Sequence, residues 1–133
     1  VNRLGQITIY QAGRHGALDG AGAPGFLYAV KPQVVIVNNG PRKGLGGGAA
    51  AAPKALTKHY KRLAKIPGIE GIWQGHLSLL EKDKGSNTAE DMISNFEESA
   101  ESQGHWIRAS VKPDGSYTIT NSRNGFSRTY KAR

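Results

Sequence analysis

The apolar segment QVVIVN, residues 33–38, constrains the fold more than any other part of the sequence. Consecutive β-branched residues favour an extended strand. A strand that lacks polar alternation is typical of one buried on both faces of a parallel sheet. Because parallel strands need long crossover connections, helices should flank this segment along the chain. The sequence therefore predicts an α/β architecture with residues 33–38 at its centre.

The segments around this strand complete a βαβαβ unit over residues 1–76. Strands are expected at residues 6–10, 33–38 and 69–73, and helices at residues 23–30 and 53–66. Pro24 and Pro53 stand near the first turn of each helix, where proline is well tolerated. Such a unit favours right-handed crossovers and a parallel or mixed sheet.

The rest of the chain changes character, which adds an α+β edge to the predicted fold. Residues 77–105 read as an acidic connection followed by an amphipathic helix over 89–102, AEDMISNFEESAES. Residues 106–133 read as an antiparallel hairpin with a turn at 113–115, followed by one more edge strand. With 133 residues, the chain is expected to form a single domain over 1–133.

Composition excludes several classes of function. The chain has no cysteine, so any metal would rest on His, Asp and Glu. It has no apolar run long enough to span a membrane and no segment typical of a signal peptide. We therefore expect a soluble chain with no membrane partner, in a compartment that the sequence leaves open.

The net charge of +8 is unevenly distributed. Residues 1–76 hold ten Lys and Arg residues and two acidic residues. Residues 77–105 are acidic, with two Lys and Arg residues and seven Asp and Glu residues. Residues 106–133 are basic again, with six Lys and Arg residues and one acidic residue. A basic body suits a phosphorylated or polyanionic ligand, including a nucleic acid, but it is equally typical of a solvated surface.

Three polar loops follow the three predicted strands. They contain His15 and Asp19, then Asn38, Asn39, Arg42 and Lys43, and finally His76. Ligands of open α/β sheets gather at the carboxyl ends of parallel strands, so these loops should converge. The amides and cations of the second loop could bind a phosphate, or they could form a capped strand end with a solvated turn. The stretch GLGGGAAAA lacks the Lys-Ser/Thr of a phosphate-binding P-loop.

The histidines and Asp19 leave alternatives open. His15 is a metal ligand or a hydrogen-bonded residue that organises its loop, and His76 is a ligand or an acid/base group. Asp19 is a ligand, a residue that orients an imidazole, or a turn-stabilising side chain. We expect His59 to lie on the helix surface and His105 to be structural.

Two stretches of the chain resemble a known family. Residues 9–44, with RHG, a small-residue loop and VVIVNNG, are similar to the carboxyl-terminal half of metallo-β-lactamase-fold hydrolases. IEGIWQGH at 69–76 and the ending DGSYTITNSRNGFSRTYKAR extend the resemblance. Within this family, the stretches resemble a group of proteins that are similar to the hydrolase domain of bacterial DNA-uptake channel proteins. The resemblance places His15 in the family's last metal-binding motif.

The resemblance implies a metal-dependent hydrolase of phosphoesters, similar to a phosphodiesterase, in the bacterial cytoplasm or periplasm. A divalent metal, zinc or alternatively manganese, would be held by His15, His76 and Asp19. His76 and Asp19 would take part in catalysis, while Asn38, Asn39, Arg42 and Lys43 would bind an anionic phosphoester or nucleotide.

The family's main ligand cluster, His-x-His-x-Asp-His, is missing from this chain, which therefore matches half of the fold. Half of the fold should leave one sheet face uncovered. We therefore expect a homo-oligomer, with a dimer favoured, in which the active site is assembled between copies. The alternative is a non-catalytic module that oligomerises or binds polyanions.

Overall fold

A computed structural model of the chain describes residues 3–16, 23–45, 59–80 and 84–133. In these residues two helices and six strands follow one another as β1, α1, β2, α2, β3, β4, β5 and β6. In that order their bounds are Ile9–Ala12, Pro24–Val30, Val34–Val37, His59–Leu63, Gly71–Gln74, Ile107–Val111, Ser116–Asn121 and Ser127–Lys131. Single turns of 3-10 helix occur at Lys84–Ser86 and Glu90–Met92, whereas Gly13–Gly16 form a tight turn that contains non-helical residues.

The first three strands form a parallel sheet in the order β1-β2-β3. The apolar strand β2 is central, as its composition predicts, and Val34, Val35 and Val37 are fully buried. The first strand begins at Ile9 rather than at residue 6. The backbone of Ile7 instead bonds Val30 and Gln33, where the chain enters β2.

Both helices pack on one face of the parallel sheet. Leu27 of α1 and Leu63 of α2 share a core with Val35 and Val37, whose side chains point to the same face of β2. The helix predicted over 23–30 is confirmed. The second helix is described only from His59, so residues 53–58 of that prediction lie outside the described residues.

An antiparallel sheet in the order β4-β5-β6 covers the other face of the parallel sheet. Trp73 of β3 is fully buried against Tyr117, Ile119 and Tyr130 of this second sheet. The predicted hairpin and its additional edge strand are thus confirmed. The expectation of an uncovered sheet face is wrong, because the chain's own carboxyl-terminal strands bury that face.

The acidic helix predicted over 89–102 is also wrong. Only Glu90–Met92 form a single 3-10 turn, after which Ile93 is extended and bridges Gln74 at the end of β3. The Ser94 N–H donates to the Gln74 carbonyl at 3.0 Å. Ser and Asn side chains compete with helical backbone bonds, so pairing with β3 is preferred over a helix here.

His59 is buried rather than exposed. It is 2% accessible at the start of α2, and neither ring nitrogen has a hydrogen-bond partner. Burial, and secondarily the nearby charge of Arg62, lowers its pKa to about 4. The expectation that His59 lies on the helix surface took no account of α1, whose Leu27 and Tyr28 line the same crevice.

At Gly71 the parallel sheet lies close to Tyr130 of the antiparallel sheet. A side chain there would overlap the Tyr130 hydroxyl and press on the indole nitrogen of Trp73. We expect Gly71→Ala to lower the free energy of unfolding by about 1–3 kcal/mol, as measured by urea denaturation. In a Tyr130→Phe background the cost of Gly71→Ala should shrink, because the overlapping oxygen is gone.

Gly25 of α1 is the matched control for this prediction. A Cβ at Gly25 meets nothing within 4 Å, so Gly25→Ala should be neutral or slightly stabilising. If Gly71→Ala lowered the free energy of unfolding equally in the wild type and in the Tyr130→Phe background, the close approach of Gly71 to the Tyr130 hydroxyl would be contradicted.

The buried His59 predicts a pH dependence of stability. Its folded-state pKa of about 4 lies below its ordinary value of 6.5, so the unfolded chain binds the extra proton between these pH values. Stability should therefore fall by up to about 3 kcal/mol as the pH drops from 6.5 to 4. His59→Leu should remove this part of the loss, measured by urea denaturation at pH 7 and pH 4.5.

The variant Thr129→Ser, at an exposed position of β6 that carries no titratable group, is the control and should keep the wild-type dependence on pH. If His59→Leu lost as much stability between the two pH values as the wild type, the buried neutral imidazole would be refuted.

Candidate functional site

Polar residues from all three parallel strands meet in one cleft. The cleft has a volume of about 400 Å³ and lies between the two sheets. One wall is formed by Gln11 at the end of β1, Asn38 and Asn39 after β2, and His76 after β3. Of the residues in the three predicted loops, Asn38, Asn39 and His76 line the cleft, whereas His15, Arg42 and Lys43 do not.

The opposite wall comes from two segments that the sequence analysis did not assign to a site. Asn95 follows the short bridge to β3, and His105 and Trp106 precede β4. The Asn95 amide donates to the carbonyls of Gly75 at 2.7 Å and His105 at 2.9 Å, while its oxygen accepts from the His105 N–H at 2.8 Å. Asn95 therefore ties the two walls together. The weak helix formers Ser94 and Asn95 were the only sequence signal for this role.

His76 is buried in the cleft wall and held on both sides. Its Nδ1 lies 2.8 Å from the carbonyl oxygen of Leu77, and its Nε2 lies 3.3 Å from that of Glu97. A neutral imidazole has one N–H and can donate to only one of these carbonyls. To offer a lone pair to a metal, the ring would have to turn away from at least one of them.

Asn39 positions His76. Its Nδ2 donates to the His76 carbonyl at 2.7 Å, and its Oδ1 accepts from the His76 N–H at 3.3 Å. Asn39 is 5% exposed and its amide is already engaged, which suits a positioning residue more than an anion donor. Asn38 is exposed beside it and also lines the cleft.

His15 lies in a tight turn just after β1. Its Nδ1 is 2.8 Å from the carbonyl oxygen of Asn38. A carbonyl only accepts, so in the neutral imidazole this contact places the proton on Nδ1 and leaves Nε2 as an acceptor. Histidines that bind metals commonly show this arrangement, with the second nitrogen held by a carbonyl or carboxylate.

The turn around His15 has an unusual backbone. Arg14 and His15 both have positive φ angles, 43° and 59°, a region that non-glycine residues rarely enter. The loop after β2 packs directly against this turn, because a Cβ at Gly44 would overlap the His15 carbonyl. Gly44 itself has a φ of 91°, so glycine meets both requirements. Such strained residues persist where the surrounding structure holds them, often at functional sites.

The two cations after β2 differ in their surroundings. The Arg42 guanidinium forms an ion pair with Glu98 at 3.0 Å, and this contact raises the pKa of Arg42. Lys43 is exposed in the same turn, where its backbone pairs with Gly40. An anion that approaches this loop would meet Lys43 directly but would compete with Glu98 for Arg42.

Asp19, the third predicted ligand, lies outside the described residues. Within the described ranges, no three His, Asp or Glu side chains are grouped closely enough to hold a metal ion together. Of the predicted ligands, His76 lines the cleft. His15 does not line it, but its Nδ1 contacts the carbonyl oxygen of Asn38, which is a lining residue.

Comparison with known proteins gives no relative for this chain: no family model, no curated protein and no solved structure matches it. None of the helices in the described residues is long and apolar enough to cross a membrane.

The role of Asn39 can be tested by Asn39→Asp. The carboxylate keeps an acceptor for the His76 N–H but sets a negative oxygen against the His76 carbonyl, which needs a donor. We expect a loss of about 1–3 kcal/mol in the free energy of unfolding at pH 7, measured by urea denaturation. The loss should shrink at low pH, because a protonated carboxyl can donate again.

Asn38→Asp makes the same chemical change at an exposed neighbouring position and should alter stability little. Equal losses at positions 38 and 39 would show that Asn39 does not hold His76.

Proposed function

We propose that this chain contributes part of the active site of a metal-dependent hydrolase of phosphoesters. The observation that carries the proposal is His15, whose Nδ1 is held by a carbonyl and whose Nε2 is left as an acceptor. Its place at the carboxyl end of a parallel strand is where such sheets bind ligands. The resemblance of the RHG, VVIVNNG and WQGH segments to metallo-β-lactamase-fold hydrolases supports the same chemistry.

The proposed metal is zinc, with manganese as the alternative, held by His15, His76 and Asp19. Without cysteine, imidazole is the chain's best neutral ligand for these ions. When bound, a divalent metal supplies the Lewis acidity that activates water and polarises a phosphoester. The fit is good for His15, whereas His76 must first release the carbonyl of Leu77 or of Glu97.

The proposed substrate is a small phosphoester or a nucleotide. Asn38 lines the cleft, and Lys43 stands on the turn that packs against the His15 loop. A phosphate oxygen in the cleft could accept from the Asn38 amide, while Lys43 offsets the negative charge that develops during hydrolysis. Arg42 would add a second positive charge to the site if its ion pair with Glu98 opened.

We further propose that the site is completed by a second copy of the chain, most simply in a dimer. A catalytic zinc usually takes three protein ligands. In the described residues no three such side chains are grouped around the cleft, and Asp19 lies outside those residues, so a neighbouring copy is the proposed source of further ligands. The antiparallel sheet already covers one face of the parallel sheet, so contact between copies would use other surfaces.

A second candidate function is non-catalytic binding of polyanions. The outer face of the antiparallel sheet favours it, since Arg108 and Lys131 are exposed there among hydroxyl side chains. Trp106 is 49% exposed next to this face, with the Arg108 guanidinium 5.0 Å from its ring centre. Exposed aromatic rings beside cations are typical of surfaces that bind single-stranded nucleic acids.

The proposed function predicts that His15→Ala loses metal and activity together while the chain stays folded. The wild type would be loaded with zinc or manganese, assayed for bound metal, and tested on bis(4-nitrophenyl) phosphate. We expect loss of one imidazole ligand to reduce metal affinity at least tenfold. Circular dichroism should be unchanged, because the ring lies at a turn outside both cores.

Arg14→Ala is the matched control, since it changes the neighbouring residue of the same turn without removing an imidazole. Metal and turnover that are both unaffected by His15→Ala would overturn the hydrolase proposal. The polyanion-binding alternative would be supported if the wild type bound a single-stranded oligonucleotide, lost affinity for it as the salt concentration rose, and hydrolysed no phosphoester.

A further inference from the structure

A second pocket lies on the opposite side of the parallel sheet, between α1 and α2. It has a volume of about 340 Å³, within the range of small-molecule sites. Its walls are largely apolar, with Leu27 and Ile66 buried in the helix-side core and the Tyr28 ring half exposed at its edge. It shares no residue with the cleft that contains His76.

His59 is the polar group inside this pocket. It is 2% exposed, and both of its ring nitrogens lack a hydrogen-bond partner. Buried polar groups without partners are uncommon and costly, so two on one ring call for an explanation. The low pKa of His59 means that the ring is neutral at pH 7, with one N–H donor and one acceptor nitrogen.

Two cations stand at the open end of the same pocket. Arg62 and Lys65 both line it and are both exposed to solvent. No acidic side chain is among the described residues that line the pocket. From its buried end to its mouth, the pocket thus offers a neutral imidazole, an apolar middle and a positively charged rim.

We propose that this pocket binds a small hydroxylated carboxylic acid. The hydroxyl group meets His59, because a hydroxyl can donate to one imidazole nitrogen or accept from the other. The apolar body lies between Leu27 and Ile66, and the carboxylate faces Arg62 and Lys65. A carboxylate at the buried end is disfavoured, since its charge would be desolvated beside a neutral ring.

This site is independent of the proposed hydrolase. It lies on the helix side of the sheet and uses none of the residues assigned to the metal or the phosphoester. Its failure would leave the hydrolase proposal untouched, and loss of metal binding in His15→Ala would not affect this site.

Three probes separate the two polar contacts: 4-hydroxyphenylacetate has both groups, phenylacetate lacks the hydroxyl and 4-methylphenol lacks the carboxylate. Binding to the intact chain at pH 7 would be measured by calorimetry and by ligand-observed NMR. We expect 4-hydroxyphenylacetate to bind about tenfold more tightly than phenylacetate, as one buried hydrogen bond allows. Its ring protons should show contacts to the methyl groups of Leu27 and Ile66.

His59→Leu should abolish the preference for the hydroxylated acid over phenylacetate while leaving an apolar pocket. Lys65→Gln should weaken both acids roughly two- to fivefold and leave 4-methylphenol unchanged. Lys31→Gln is the matched control, because it removes a positive charge at the end of α1 that does not line this pocket.

The proposal is overturned if the wild type binds the two acids equally, or if no probe saturates the chain at millimolar concentration. A preference for the hydroxyl that persists in His59→Leu would also overturn it. The NMR contacts in the wild type provide a test that does not depend on how well either variant folds.

Discussion

The burial of Trp73 between the two sheets is the contact on which the rest of the structure depends. Its ring lies in a core with Tyr117, Ile119 and Tyr130, and its indole N–H donates to the Tyr130 hydroxyl at 3.2 Å. Removal of a fully buried Trp side chain typically costs about 3–5 kcal/mol. This contact fixes the antiparallel sheet over the parallel one, so that the segment before β4 becomes one wall of the cleft.

Side-chain amides connect this packing to the site. Gln74 is fully buried at the end of β3, and its Nε2 donates to Asn87 at 2.8 Å, which holds the chain that leads away from the sheet. Asn39 fixes the backbone of His76, and Asn95 joins Gly75 to His105. Each amide can donate and accept at once, so it satisfies two backbone groups in loops that no helix or sheet ladder reaches.

Three histidines illustrate how one side chain acquires different chemistry from its surroundings. His15 has one carbonyl partner and retains an acceptor nitrogen, whereas His76 faces two carbonyls. His59 has no partner at all and is neutral because burial lowers its pKa. The cleft and the helix-side pocket therefore differ in what they can bind, although each contains an imidazole.

The sequence by itself determined the strands, the first helix and the end of the sheet where polar residues meet. The β-branched run at 33–38 specified a buried central strand, and the loops with Asn38 and His76 converge because parallel strands end at one edge. Only the tertiary structure decided what covers the sheet, how residues 93–95 run, and that His59 is buried. Those outcomes depend on contacts between distant segments, such as Ile93 with Gln74 and Trp73 with Tyr130, which local periodicity does not encode.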